Sequence, residues 1–119
     1  MPNDARLEAL RQALEARTHV TDERGPSIDE AAVLLVLRPT DPVEMLLIER
    51  TEREGDPWSG HMALPGGRRE PADADLLATA RRETEEETGI VVTPSQILGR
   101  LDELGPNASH RRFNLLIAP

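Results

Sequence analysis

LPGGRREPADADLLATARRETEEETGI, residues 64–90, is the stretch around which this 119-residue chain is organised. A proline-glycine-glycine turn leads into an acidic loop, and the loop leads into a helix expected over 76–88. That helix carries Glu83, Glu85, Glu86 and Glu87 within about a turn and a half. Carboxylates so close repel one another, and like charges at i,i+4 destabilise a helix. A cation seated among them removes that penalty. Hard divalent ions such as Mg²⁺ take oxygen ligands and keep several waters plus substrate phosphate oxygens. The pattern therefore points to metal-dependent chemistry on a phosphoanhydride.

Helical phase divides the acidic run. Each residue advances about 100°, so Glu83 and Glu87 lie about 40° apart and Glu86 falls between their turns. Thr79, Glu83, Glu86 and Glu87 share a face, and Glu85 lies on the opposite one. Three carboxylates converging on that face could hold divalent ions. Arg82 can pair with a carboxylate and fix its rotamer. Gly66 and Gly67 let the backbone approach the face closely, and a carbonyl from the glycine turn could complete a metal shell. Such a metal would polarise a phosphoryl oxygen and generate hydroxide from water. A run of glutamates alone is what any solvated helix presents. The glycine turn and the Arg-Glu pair at fixed spacing set this one apart.

The bulk composition fits that chemistry. The length suggests a single domain over 1–119. With 38% hydrophobic and 30% charged residues, the chain reads as globular. A net charge of −8 argues against nonspecific binding to nucleic acid or an anionic membrane surface. The absence of cysteine excludes disulfides, zinc-thiolate sites and cysteine nucleophiles. The longest apolar run, 31–37, is too short to span a bilayer, and the N-terminus lacks a signal-peptide core, so a cytoplasmic location is expected. Trp58 and Phe113 are the aromatic residues, so Leu, Val, Ile and Ala must build the core.

Along the chain, Asn3 or Asp4 can cap a first helix over 4–17, with Leu7, Leu10, Ala13 and Leu14 as its apolar stripe. Residues 18–28 read as a loop containing His19. AAVLLVLR, 31–38, suits a strand buried on both faces. VEMLLIER, 43–50, is expected to return as its hairpin partner. TEREGDPWSG, 51–60, is a polar loop around Trp58, which either lids an apolar edge or contacts ligand. A short extended piece over 61–64 enters the glycines. Asp73 or Asp75 can cap the acidic helix, Leu76, Leu77, Ala80 and Thr84 pack it, and Gly89 ends it. Short strands are expected at 90–92, 97–104 and 110–118.

These residues resemble a known family. The segment is similar to the Nudix box, G-x5-E-x7-R-E-U-x-E-E-x-G-U, where U is bulky and apolar. Arg82, Glu83, Thr84, Glu86, Glu87, Gly89 and Ile90 match its distal half, with Thr84 small and polar at a U position. In the proximal half Asp73 stands six residues after Gly67 in place of Glu, and Arg82 lies one residue further along than the motif has it. Pro65, Gly66, Gly67, Glu70, Asp73, Thr79, Ala80, Arg82 and Glu83 resemble the coenzyme A diphosphatase branch, which often reads PGG-x-x-D-x-x-D followed by T-A-x-R-E, with Glu70 here in place of the first Asp. Leu46, Leu47, Arg50 and Thr51 match part of that branch's upstream signature, and Gly60, Ala63, Leu64 and Pro65 echo its later piece; the loop between is rewritten.

The resemblance implies an α/β/α sandwich around a mixed β-sheet. It implies metal-activated hydrolysis of a diphosphate linking a nucleoside to another moiety, with coenzyme A or a related conjugate as substrate and Mg²⁺ or Mn²⁺ as cofactor. A nucleoside triphosphate pyrophosphatase and a Nudix-fold binding module without catalysis are the alternatives. By position, Glu83, Glu86 and Glu87 and the carbonyl of Gly66 would be metal ligands. Glu83 would be the candidate base, and Arg82 would orient a carboxylate. Arg50, Trp58 and His61 are expected substrate contacts. Nudix domains usually continue past a strand at 113–117 into more strand and a closing helix. The expectations for this shorter chain are a sheet completed in a homodimer, a sheet face covered by the N-terminal helix, or a fragment of a longer protein.

Overall fold

A computed structural model describes residues 4–17, 30–50, 54–55, 60–101 and 111–117, the last of these by backbone alone. In chain order the elements are α1 (Ala5–Ala16), β1 (Glu30–Arg38), β2 (Glu44–Met45), β3 (Ile48–Glu49), β4 (Met62–Ala63), β5 (Gly66–Arg68), α2 (Leu76–Thr88), a 3-10 turn (Pro94–Gln96), β6 (Ile97–Arg100) and β7 (Arg111–Ile117). The loop expected at 18–28, Trp58 and the end of the strand expected at 97–104 lie outside the described residues.

The apolar run of β1 makes it the centre of a mixed sheet. One edge pairs in parallel with β7, and β7 pairs antiparallel with β6. The other edge takes two strands end to end. β5 pairs antiparallel with it at Ala31, Ala32 and Val33, and β2 does so at Leu37 and Arg38. β3 and β4 form a separate two-stranded ladder. The expected hairpin is therefore real at its near end, but the strand expected over 43–50 breaks in two. Its first half stays on β1, where Leu46 N–H donates to Val36 O at 2.9 Å, and its second half turns away to β4.

The burial of β1 alternates. Ala32, Leu34 and Val36 are buried, whereas Ala31, Val33, Leu35 and Leu37 are half-buried. The expectation of a strand buried on both faces holds in full only for the even-numbered face, and where the helices lie explains the difference. Leu76 and Ala80 of α2, together with Val92, complete the buried cluster on the even-numbered face. α1 packs on β6. The register aligns Gly99 with Leu116 and Leu116 with Leu35, which places Gly99 on the odd-numbered face. Leu14 sits against Gly99 there, so the two helices flank opposite faces in an α/β/α arrangement. Among the described residues α1 packs over β6, and the odd-numbered residues of β1 are half-buried.

Local signals set both helix ends. The Asp4 side chain accepts the Arg6 N–H at 2.9 Å and caps α1. Leu7 is buried and Leu10 and Leu14 half-buried, but Ala13 is exposed and drops out of the expected stripe. Asp75 caps α2 by accepting from Ala78 N–H at 2.8 Å. Gly89 closes it in the left-handed conformation, φ 77°, with its N–H on Glu85 O. Thr84 is fully buried at an apolar position because its hydroxyl donates back to Ala80 O at 2.7 Å. Residues 90–92 are not a strand. Arg81 Nε donates to Val92 O at 2.7 Å, and the Val92 side chain fills the core. Among the described residues no helix is long and apolar enough to cross a membrane.

The seat of α1 on Gly99 is testable. A Cβ at Gly99 would stand 2.7 Å from Leu14 Cβ and 2.8 Å from Leu14 Cδ1. Gly99→Val should cost about 1–3 kcal/mol in denaturant unfolding by overpacking, with α1 amides losing hydrogen-exchange protection first. Adding Leu14→Ala should restore part of that protection. Unchanged stability and protection in Gly99→Val would contradict this packing.

Candidate functional site

The glycines expected to form a turn are instead strand residues, and the reason lies in what presses on them. A Cβ at Gly66 would collide with Ala32 O and stand 2.7 Å from Val33 Cα on the neighbouring strand. A Cβ at Gly67 would stand 2.5 Å from Glu83 Cδ and 2.8 Å from both Glu83 carboxylate oxygens. Gly67 thus lets the Glu83 carboxyl group lie directly on the β5 backbone. One turn further along α2, Glu87 Oε1 accepts the Gly66 N–H at 3.2 Å. The sheet edge and one face of α2 are fitted together residue by residue.

Arg82 holds the other side of this face. Its Nε and Nη2 donate to Asp73 Oδ1 and Oδ2 at 3.0 and 2.9 Å, and Nη2 also reaches Arg68 O at 3.1 Å. Its Nη1 donates to Glu83 Oε1 at 3.0 Å and to the Glu86 carboxylate at 3.3 Å, with Glu70 Oε1 at 3.6 Å. One guanidinium therefore bridges a buried carboxylate behind it and two carboxylates in front. Asp73 is 8% exposed, and its Oδ2 further accepts from Glu70 N–H and Thr79 Oγ1, both at 2.9 Å. Arg69 fixes the loop by donating to Glu30 Oε1 at 3.1 Å and to the carbonyls of Asp73 and Ala74.

Charge follows geometry. The Arg82 guanidinium holds the Asp73 carboxyl far below the usual range against the opposing effect of burial, with help from the Glu70 N–H and the Thr79 hydroxyl. Asp73 in turn raises the proton affinity of Arg82, so the pair stays ionised. Glu87 moves the other way. Loss of water around its carboxyl raises it, although the residue as a whole is exposed. Glu83 and Glu86 add like charge, while the Gly66 N–H and Arg50 pull it back down.

Glu83, Glu86 and Glu87 thus occupy one face as helical phase requires, and Glu85 is exposed away from it. Thr79 does not join that face: it is fully buried beneath it. The three carboxylates do not meet at a point. Arg82 draws Glu83 and Glu86 to itself, and Glu87 turns to the Gly66 N–H. Among the described residues no group of three or more His, Cys, Asp or Glu is close enough to hold a metal ion. Arg50 and His61 pair across the β3–β4 ladder, with Arg50 N–H on His61 O at 2.9 Å, and Arg50 lies near enough to act on the charge of Glu87. Asp73 is not the cap of α2 but stands at the acidic position of the motif it resembles, as the anchor of Arg82, and Arg69 and Glu30 hold its loop without a signal in the sequence. The nine-residue offset from Asp73 to Arg82 was a signal, but only the fold of 69–75 brings the two together.

An α/β/α fold with a glycine strand laid against a glutamate-bearing helix matches a known class. A family model described as the NUDIX domain matches residues 28–115, and the chain belongs to that family. It is 45% identical over 75 residues to the uncharacterized protein C14C4.10c of Schizosaccharomyces pombe, covering 61% of this chain and 23% of that protein. It is 38% identical over 80 residues to the uncharacterized Nudix hydrolase NudL of Photorhabdus laumondii, covering 67% of this chain and 42% of that protein. The chain thus spans less than half the length of either relative. The fold resembles a MutT/nudix family protein from Enterococcus faecalis, with a TM-score of 0.63 at 20% identity over 99% of this chain and 49% of that one.

The Asp73–Arg82 pair makes stability depend on pH with a definite sign. The Asp73 carboxyl is depressed in the folded state, so its contribution is complete above the unfolded value of about 4 and is lost as pH falls below it. Asp73→Asn should lower stability at pH 7 by about 2–4 kcal/mol. It should also flatten the decline in Tm between pH 5 and pH 2 on the order of one titrating group. Parallel Tm profiles for the two proteins would refute the pairing. Glu87, being raised, works in the opposite sense, because its unfavourable charge is relieved as pH falls.

Proposed function

We propose that the chain hydrolyses the diphosphate of a nucleoside diphosphate linked to a second moiety, with Mg²⁺ or Mn²⁺ as cofactor and coenzyme A as the first substrate to test. The observation that carries this is the face formed by Glu83, Glu86 and Glu87 against β5, where Gly67 leaves no room for a Cβ beside the Glu83 carboxyl. Every donor there is a hard oxygen, which suits these cations. The proton affinity of Glu87 is raised first by loss of water around its carboxyl and, to a lesser degree, by the negative charge of Glu83 and Glu86. A cation relieves the same repulsion.

On this reading Glu83, Glu86, Glu87 and the carbonyl of Gly66 hold the metal. When bound, it supplies Lewis acidity at a phosphoryl oxygen and lowers the pKa of water. Glu83 accepts the proton of the attacking water, and Arg82 keeps that carboxylate oriented through Nη1. The new P–O bond forms at one phosphorus as the bridging P–O bond breaks, which leaves two phosphomonoesters. Arg50 offers a cation to the substrate phosphates beside Glu87, and His61 and Trp58 are assigned to the rest of the substrate. The coenzyme A assignment is supported by Asp73, whose spacing resembles that branch and whose side chain makes the Arg82 contact.

A panel of coenzyme A, other nucleoside diphosphate conjugates and dNTPs with Mg²⁺ or Mn²⁺ tests the proposal. Metal-dependent cleavage of coenzyme A is expected. Pyrophosphate release from dNTPs alone would move the substrate class to triphosphates, and no turnover of any member would sink the enzymatic reading. Glu86→Gln should cut kcat by about 10²-fold or more while leaving the fold intact. Its Tm without metal should equal or exceed that of the unaltered protein, because a like charge has been removed.

A further inference from the structure

Thr79 is fully buried at the base of the acidic face, at the end of the first turn of α2. A buried hydroxyl must donate its proton to something. Two acceptors lie within reach: Asp73 Oδ2 at 2.9 Å and its own helix carbonyl, Asp75 O, at 3.3 Å. The carboxylate is the shorter and the charged partner, and charge-assisted hydrogen bonds are the stronger ones. The oxygen that receives the Thr79 proton also receives Arg82 Nη2 at 2.9 Å. The Arg82 fork is thereby set, and its Nη1 contacts to Glu83 and Glu86 follow from it.

We infer that Thr79 is a positioning residue: its hydroxyl fixes the Asp73 carboxylate, Asp73 fixes Arg82, and Arg82 orders Glu83 and Glu86. It touches neither substrate nor metal. Asp73 is short and is reached across a loop, so its carboxylate would otherwise be held by Arg82 and the Glu70 N–H alone. The hydroxyl supplies a second donor from α2, on a much shorter side chain than that of Arg82, and so holds the loop carboxylate more closely to the element that carries the glutamates. The inference rests on the proposed catalytic reading for its kinetic consequence, but not for its structural one.

Two variants separate the hydroxyl from the methyl group. Thr79→Val keeps the shape and removes the donor; Thr79→Ser keeps the donor and removes the methyl. Each is compared with the unaltered protein for kcat and KM on the panel substrate it cleaves fastest, at saturating Mg²⁺. The Arg82 Nε–H signal is followed by ¹H–¹⁵N NMR, assigned from its loss in Arg82→Lys. Thr79→Val should lower kcat about three- to tenfold, the effect of one hydrogen bond, with KM within about twofold. It should broaden or shift the Arg82 signal, and Thr79→Ser should restore both readouts. An unperturbed Arg82 signal in Thr79→Val would overturn the inference, as would equal impairment of the two variants. If the unaltered protein cleaves nothing, the catalytic reading fails, and the Arg82 signal in the two variants still decides the role of Thr79.

Discussion

A single guanidinium, that of Arg82, carries the arrangement of this site. It stands between the buried Asp73 carboxylate and the carboxylates of half-buried Glu83 and exposed Glu86, within 3.4 Å of oxygens on all three. Without it, the close glutamates would repel one another into scattered rotamers. Without Asp73, the arginine would lose its bidentate anchor and collapse onto whichever glutamate lay nearest. The anchor is buried and ionised, so removing one partner costs far more than a surface ion pair contributes. The contact to Glu86 is of the weaker, exposed kind, and the part-buried contact to Glu83 lies between the two. That asymmetry leaves the back of the arginine fixed and its front able to exchange partners.

The second constraint is steric. α2 can bring Glu83 to the sheet only because β5 presents Gly67, and β5 can lie against β1 only because it presents Gly66. The caps at Asp75 and Gly89 set where the helix begins and ends, and so which carboxylate meets which glycine. The buried cluster of Ala32, Leu34, Val36, Leu76, Ala80 and Val92 then locks α2 onto the sheet. Burial of such side chains is worth about 1.5–3 kcal/mol for each large one. Packing, capping and charge act on the same helix, which is why one segment both completes the core and forms the site.

Much of this was legible in the sequence where the signal is local. The ends of α2 follow from Asp75 and Gly89, β1 from its apolar run, and the glutamate face from helical phase. What the sequence hid depends on partners distant in the chain. Residues 66–67 read as a turn because paired glycines usually turn, yet they are extended because two neighbours crowd them. The strand expected at 43–50 splits because β1 claims one half and β4 the other. Residues 90–92 have strand-like side chains, but Arg81 takes the Val92 carbonyl. Phase placed Thr79 beside the glutamates; it lies inside because its hydroxyl has Asp73 to meet. Phase also gave the carboxylates a common face without giving their rotamers, which Arg82 and the Gly66 N–H decide.

A Mn²⁺ titration read residue by residue tests most directly the proposal that this face holds a divalent cation. Paramagnetic broadening of backbone amide signals at substoichiometric Mn²⁺ should be strongest at Gly66, Gly67, Glu83, Glu86 and Glu87 and fall off with distance from them. Broadening spread evenly over the acidic surface, at Glu8 and Glu15 of α1 as much as at Glu83, would contradict the account.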